Sequence, residues 1–385
     1  MKILLIAPHP FFQERGTPIA VKLLIETLSE FGHEIDLLTF NEGENISVNG
    51  LRIFRIPNLS ILQNVPIGFS PKKIIGDVFI TFKMFLMLKK NNYDVIHAVE
   101  ESIFPAAFFN KFFNKKLVYD MDSSMADQLI EKWDVLNKIS GLLNGFEKWA
   151  ANNSTIVIPV CKYLADKIKE FSPETKIQIL EDIAFEPDYT KNKNENLKKL
   201  FPENHLIALY VGNLEHYQGI DLLLEGITKV NSKVPFSVAI IGGNDVSINH
   251  YQNKSKKLNI ENKIKFLGRR SLDQLPFLLE QADILLSPRT KGKNTPMKIY
   301  SYLASGVPVL ASYIDSHTQA MTINDAKLFK PTPEGFAKAF EDLLNNEEER
   351  KQLGNAGKKL AKKNYSLESY KIKLKSVYEL LEKKL

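Results

Sequence analysis

Between Ser287 and Ser312 the chain reads SPRTKGKNTPMKIYSYLASGVPVLAS. A buried strand end gives way to a loop of Gly, Asn and Thr, then to the start of a helix. A Gly-Val-Pro turn leads on to a second buried strand. Thr295 suits a helix N-cap and Pro296 the first helical position. Such a start presents backbone amides at the positive end of a helix, where anions bind. Arg289 offers phosphate a forked contact and Lys298 a point charge. With Asn294 and Thr295 they form the strongest candidate site of the chain, one built to hold a diphosphate. That points to a nucleotide-linked substrate. A solvated basic loop is the plainer reading, but it does not explain why Gly, Asn, Thr and Pro cluster between two buried strands.

Other candidates are weaker when taken alone. The run VGNLEHYQGID, residues 211–221, leaves a strand through Gly212 and offers Asn213 and Gln218 as neutral donors. It is not the G-x-G-x-x-G of a dinucleotide loop. Gly242-Gly243-Asn244 reads as a turn. In the first loop, PHPFFQERGTP, Gly16 could let backbone approach a phosphate, with Thr17 as N-cap and Pro18 at the first helical position. The same residues also describe an ordinary capped helix start. His97, Glu100 and Glu101 end a strand. The two carboxylates suit acid/base work or the first turn of a helix, and His97 suits a hydrogen-bonded core position. Asp120-x-Asp122 has the spacing of a metal-binding D-x-D, although Ser123 and Ser124 beside it equally suit a helix cap.

These residues must be held by strands and helices in alternation. In the first half, strand-like runs fall at residues 2–7, 34–40, 51–56, 95–99, 116–121, 155–160 and 177–180. The second half restarts the scheme at 205–211, 236–241, 263–267, 283–286, 307–311 and 326–329. Continuous apolar strands separated by amphipathic helices make parallel sheets covered on both faces. The polar stretch 181–202 is the best boundary. The expected organisation is a first Rossmann-like domain over 1–183, a second over 184–364 and a C-terminal helix over 365–385. In that helix Tyr370, Ile372, Leu374, Val377, Tyr378 and Leu381 are expected near one face. Ligands of such sheets bind beyond the carboxyl ends of the strands.

Composition narrows the partners. A net charge of +6 fits an anionic small substrate or an anionic membrane surface and is too weak to argue for nucleic acid. The single cysteine, Cys161, excludes an internal disulfide framework and a cysteine-based metal cluster, and fits a reducing, cytoplasmic setting. No apolar run reaches the roughly 20 residues of a membrane span. Residues 108–116, FFNKFFNKK, and 72–90 mix aromatic residues with lysines. They suit a face lying on an anionic membrane, or ordinary helices with core Phe and solvated Lys.

Taken together and in order, these segments resemble glycosyltransferase family 4, the retaining nucleotide-sugar transferases of GT-B fold. RGTPIAVKLLIETLSEFGHEIDLLTF resembles the family's glycine loop, first helix and second strand, and YDVIHAVEE resembles its fourth strand. VGNLEHYQGIDLLLEGI resembles the opening of its donor domain. KFLGRRSLDQLPFLLEQADILLSPR and TPMKIYSYLASGVPVLAS resemble its nucleotide-sugar half, and YSLESYKIKLKSVYELL its returning helix. The chain also departs from the family pattern. The Arg and Lys that usually hold the donor phosphates fall on Asn213 and Gln218. The Glu-x7-Glu pair falls on Lys293 and Ser301, and a frequent histidine of the first domain falls on Asp122.

The resemblance implies two Rossmann-like α/β domains whose parallel sheets face a cleft, with the last helix crossing back to the first domain. It implies transfer of a sugar, of hexosyl type and with retained configuration, from a nucleotide diphosphate sugar to a hydroxyl of a glycan or lipid-linked acceptor. No metal or other cofactor is expected. Donor binding is expected at Gly16, Thr17, Gly212, Asn213, Gln218, Arg289, Asn294, Thr295, Lys298 and Ser301. Asp122, Glu100 and Glu101 are expected to orient sugar or acceptor hydroxyls. Cell-surface polysaccharide or glycolipid synthesis at the inner face of the plasma membrane would be the setting. A catalytically silent partner subunit and a sugar-nucleotide epimerase of the same fold are the alternatives.

Overall fold

The computed structural model describes residues 1–13, 16–65, 70–184 and 196–383. The chain divides into two compact units, Met1–Glu181 with Lys371–Leu385, and Asp182–Tyr370. The divisions thus fall at 181/182 and 370/371, beside the 183/184 and 364/365 expected from the sequence.

The first unit carries strands β1 (Lys2–Ala7), β2 (Glu34–Thr39), β3 (Leu51–Arg55), β4 (Val95–Val99), β5 (Lys116–Met121) and β6 (Ile156–Pro159). Its helices are α1 (Gly16–Glu30), α2 (Pro71–Lys90), α3 (Ile103–Phe113), α4 (Met125–Lys132), α5 (Ser140–Asn152) and α6 (Lys162–Phe171). Every strand pairing is parallel, in the order β3-β2-β1-β4-β5-β6. Residues such as Ile3, Leu5, Ile96 and Val118 are wholly buried, as expected of strands covered on both faces.

Residues 177–180 do not form the seventh strand expected from the sequence. Ile177 makes a lone parallel bridge to Val157. The Val157 amide donates to the Lys176 carbonyl, and the amides of Gln178 and Leu180 donate to Val157 and Pro159. The next ladder bond would need an N–H from Pro159, which has none, so the pairing never becomes a regular strand.

The second unit repeats the plan. Its strands are β7 (Leu206–Val211), β8 (Phe236–Ile241), β9 (Ile264–Gly268), β10 (Ile284–Ser287), β11 (Val309–Ser312) and β12 (Lys327–Phe329). Its helices are α7 (Ile220–Lys229), α8 (Asp245–Lys257), α9 (Leu275–Leu279), α10 (Lys298–Ser305), α11 (Asp315–Thr318), α12 (Pro333–Asn345) and α13 (Glu347–Asn364). The order β12-β11-β10-β7-β8-β9 is again parallel throughout. Both sheets therefore have the doubly wound order that reverses direction beside their first strand. In each unit that switch point lies between the first and fourth strands, β1/β4 and β7/β10.

The last helix, α14 (Leu367–Glu382), joins the first unit from Lys371 onward. Tyr370, Leu374, Val377, Tyr378 and Leu381 are buried at helical spacing. Ile372 is not on that face; it is 64% exposed, because two residues along a helix turn a side chain to the opposite side. The Tyr378 hydroxyl lies 2.8 Å from His97 Nδ1, and Lys373 pairs with Glu181 at 2.6 Å.

Candidate active site

In the second unit three strand exits meet at the switch point. The Gly212 amide donates to the Ile241 carbonyl and the Gly242 amide to Gly268. Gly242, at φ +115°, presses against Gly212 so closely that a Cβ there would stand 2.0 Å from the Gly212 oxygen. Gly219, at φ +78°, meets the Pro288 carbonyl in the same way, at 1.9 Å. Side chains at these two positions would drive the exit loops apart, so glycine sets how tightly the loops converge.

Lys298 is the first residue of α10. Its Nζ stands 4.0 Å from the centre of the Tyr210 ring and 3.3 Å from Gln218 Oε1. Tyr210 is fixed in turn by donating its hydroxyl hydrogen to the Asn213 carbonyl at 2.7 Å. No carboxylate among the described residues pairs with Lys298. Burial, and then the nearby Arg289 charge, pull its amine well below the usual lysine range. A ring face and one amide oxygen do not replace the water that an ammonium loses. Arg289 lies over the Tyr217 ring at 5.3 Å, and its Nε donates to the Lys291 carbonyl at 2.6 Å. Gln218 is buried, as are Thr295 and Ser301, which neighbour Lys298 in sequence, and Asn294 is half-buried.

The helix start differs from the expected one. Thr295 is not the N-cap and Pro296 is not the first helical residue; α10 begins at Lys298, and Met297 caps it without a side-chain bond. The Ile299 amide reaches the Pro296 carbonyl and the Tyr300 amide reaches Met297, so the first turn is tightened to i→i+3 bonds. Proline fits this tight turn as well as a cap-adjacent position, so its presence did not fix the register. The amides of Thr295 and Met297 find no carbonyl acceptor among the described residues.

A cluster missed by sequence reasoning lies below this loop. His317, on α11, is fully buried. Its Nδ1 donates to the Ser312 carbonyl at 2.8 Å, and its Nε2 accepts from Ser287 Oγ at 2.9 Å. Burial pushes the imidazole down to about 3, which keeps it neutral in this tautomer. Ser312 Oγ also donates to the Arg289 carbonyl. The ends of β10 and β11 and the root of the Arg289 loop are thus tied together. The only sequence signal was a serine closing each of two adjacent apolar runs.

In the first unit the expected acids part company. Glu100 directly follows β4 with φ +54°, and its Oε2 accepts from Ser123 Oγ at 2.7 Å. Burial, reinforced by Glu101, pushes its carboxyl up to about 8. Glu101 is ion-paired with Lys73, whose Nζ also donates to the Pro8 carbonyl. Residues 100–102 form a tight turn and α3 starts only at Ile103. Asp122 follows β5 by one residue and is partly exposed. Asp120 turns to His97 Nε2 at 3.1 Å, and His97 is a wholly buried core histidine. Among the described residues no group of three His, Cys, Asp or Glu side chains is placed to hold a metal ion.

The start of α1 also corrects an expectation. The helix already includes Gly16, so Thr17 lies inside it rather than capping it, and Pro18 is its third residue. Proline is tolerated there because the first-turn amides have no intrahelical acceptor. Gly16 has open space around its Cβ position.

Comparison with known proteins places this architecture. Residues 15–181 match the sequence model of Glycosyltransferase Family 4, and residues 192–360 that of Glycosyl transferases group 1. An uncharacterized glycosyltransferase of Methanocaldococcus jannaschii is 24% identical over 370 residues, 95% of each chain. Sucrose-phosphate synthase from Thermosynechococcus elongatus superposes with a TM-score of 0.80 at 17% identity, covering 100% of both chains. HepE of Anabaena, in complex with UDP and glucose, superposes at 0.72 and 15% identity, over 98% of this chain and 99% of that one. The fold and these matches define a glycosyltransferase of GT-B type. The chain belongs to glycosyltransferase family 4.

Proposed function

We propose that this protein is a retaining, metal-independent hexosyltransferase that uses a nucleotide diphosphate sugar. The acceptor is a hydroxyl of a glycan or lipid-linked glycan in cell-surface polysaccharide or glycolipid synthesis on the cytoplasmic side. The observation that carries the reading is Lys298, a desolvated amine with no carboxylate partner among the described residues, at a junction where glycine backbones of the strand exits converge closely. A diphosphate supplies the missing counter-charge. As the glycosidic bond to the leaving diphosphate breaks, negative charge grows on its oxygens. Lys298 and Arg289 stabilise that charge, with the amides of Thr295 and Met297 as further donors. Glu100 and Asp122, from the first unit, orient sugar or acceptor hydroxyls. The known HepE complex with UDP and glucose supports a nucleotide-linked donor in this fold.

A second reading is a catalytically silent subunit that retains nucleotide binding. It is favoured by Asn213, Gln218 and Ser301, which stand where the family usually carries charged residues. The test is nucleotide release from a panel of UDP- and GDP-sugars with EDTA, comparing the natural chain with Lys298→Ala. Release from one donor, indifferent to EDTA and lost in the variant, supports the transferase. Nucleotide binding without release from any donor, even with lipid or glycan extract as acceptor, supports the silent subunit.

A further inference from the structure

The first unit leaves one broad apolar surface uncovered, built by α2, α3 and α5. Phe112 is 73% exposed, Phe82 63% and Leu142 60%. These are not scattered residues. Phe85 of α2 packs against Phe109 of α3 at 5.2 Å, and Phe108 against Phe112 at 6.0 Å, so the rings form a continuous band. On one side of α3 a hollow of about 830 Å³ is lined by Phe104, Phe108, Leu142, Phe146 and Trp149 with no charged side chain. On the other side a hollow of about 600 Å³ opens between α2 and α3. Apolar surface of this extent is costly to leave in water and marks an interaction face.

The charges around the band select the partner. Lys89, Lys90, Lys111, Lys132, Lys138 and Lys148 are exposed on and between these helices. Glu131 is the one exposed acid on the described residues of α2 to α5. Lys111 Nζ sits 5.5 Å from the Trp149 ring, so cation and aromatic stand side by side at the edge of the larger hollow. A second copy seated on the same face would bring these lysines against themselves. An anionic bilayer complements both features, since headgroup phosphates meet the lysines and hydrocarbon meets the rings. None of the described helices is long and apolar enough to cross a membrane, so the contact is peripheral.

We infer that the α2–α3–α5 face docks on an anionic phospholipid bilayer, with its Phe side chains inserted at the headgroup boundary. The inference does not depend on the glycosyltransfer reading, because it is tested without donor or acceptor. The full chain is sedimented with phosphatidylglycerol-containing vesicles and with pure phosphatidylcholine vesicles, at low and high salt. Binding to the anionic vesicles only, weakened by salt, is expected. The triple change K89A/K90A/K111A should weaken it by roughly a hundredfold, at ~1 kcal/mol per lysine. F82S/F112S should abolish the residual high-salt binding while leaving the melting temperature unchanged, since both rings are exposed. Absence of vesicle binding overturns the inference. So does a concentration-dependent dimer that F112S dissolves, which would assign the face to self-association.

Discussion

The two switch points treat charge in opposite ways. At β7/β10 the second unit gathers cations and leaves Lys298 with no carboxylate partner among the described residues: it meets a ring and an amide oxygen, and the Arg289 charge adds to its electrostatic discomfort. Beside β4 the first unit gathers acids and then quiets them. Glu101 is paired with Lys73, Asp120 with His97, and the Glu100 carboxyl is pushed up to about 8. An unpaired buried cation is a standing destabilisation and asks for an anion. A carboxyl kept near neutrality is suited to hydrogen-bonding with hydroxyls rather than to holding phosphate. The contrast fits a charged donor in one unit and a neutral, hydroxyl-rich partner in the other.

The largest effect is expected at Lys298. Lys298→Ala should lower donor turnover by about 10²–10³-fold, the range seen when one donor to a developing anion is removed. Lys298→Met should do the same and also raise Tm, because the natural amine is destabilised by burial in the fold. The sign follows from linkage: its folded pKa lies below the unfolded one, so the fold gains stability as pH rises past that depressed value. A Lys298→Met Tm below the natural chain's would show that the amine is already satisfied.

Next comes His317. His317→Phe removes both bonds to Ser287 and Ser312 and should loosen the Arg289 loop. We expect UDP binding weaker by up to roughly thirtyfold, on the basis that each of the two lost hydrogen bonds contributes ~1 kcal/mol. His317→Gln keeps one donor and one acceptor and should restore part of the affinity. Equal losses of Tm in both variants with unchanged UDP affinity would confine His317 to stability.

Glu100 should act through pH. Its folded pKa is raised, so its contribution to stability is present below the unfolded value and fades as pH rises through about 8. Glu100→Gln should therefore melt above the natural chain in alkaline buffer and lose that advantage in acid. A parallel shift at all pH values would show that Glu100 does not titrate in this range. The smallest effect is expected at Glu101, where Glu101→Gln leaves Lys73 with its Pro8 contact and should change turnover by less than about threefold, in keeping with a partly exposed pair.

Much of this contrast was legible in the residues, and the limits have physical causes. The strands were visible because both sheets are buried on both faces, which leaves unbroken apolar runs. The extra strand at 177–180 failed on one missing amide, at Pro159, that lies in a different segment. Thr17 and Thr295 were misjudged as caps because Pro18 and Pro296 are acceptable at several early helix positions. Ile372 was placed on the wrong face because an apolar residue type does not itself fix an angle. Lys298 and Arg289 stand out as candidates in the local sequence, but the environment of Lys298 does not. Its ring and amide partners, Tyr210 and Gln218, come from a segment some eighty residues earlier. His317 was invisible for the same reason, since its partners close two separate strands.

The most direct test of the central claim is calorimetric titration of UDP at a series of pH values, each in buffers of differing ionisation enthalpy. If Lys298 is held uncompensated for the diphosphate, binding returns it to the charged form. The natural chain should then take up a proton as pH rises, and Lys298→Arg should bind without uptake. UDP binding with no proton uptake at any pH, at an affinity that Lys298→Ala leaves unchanged, would contradict the account.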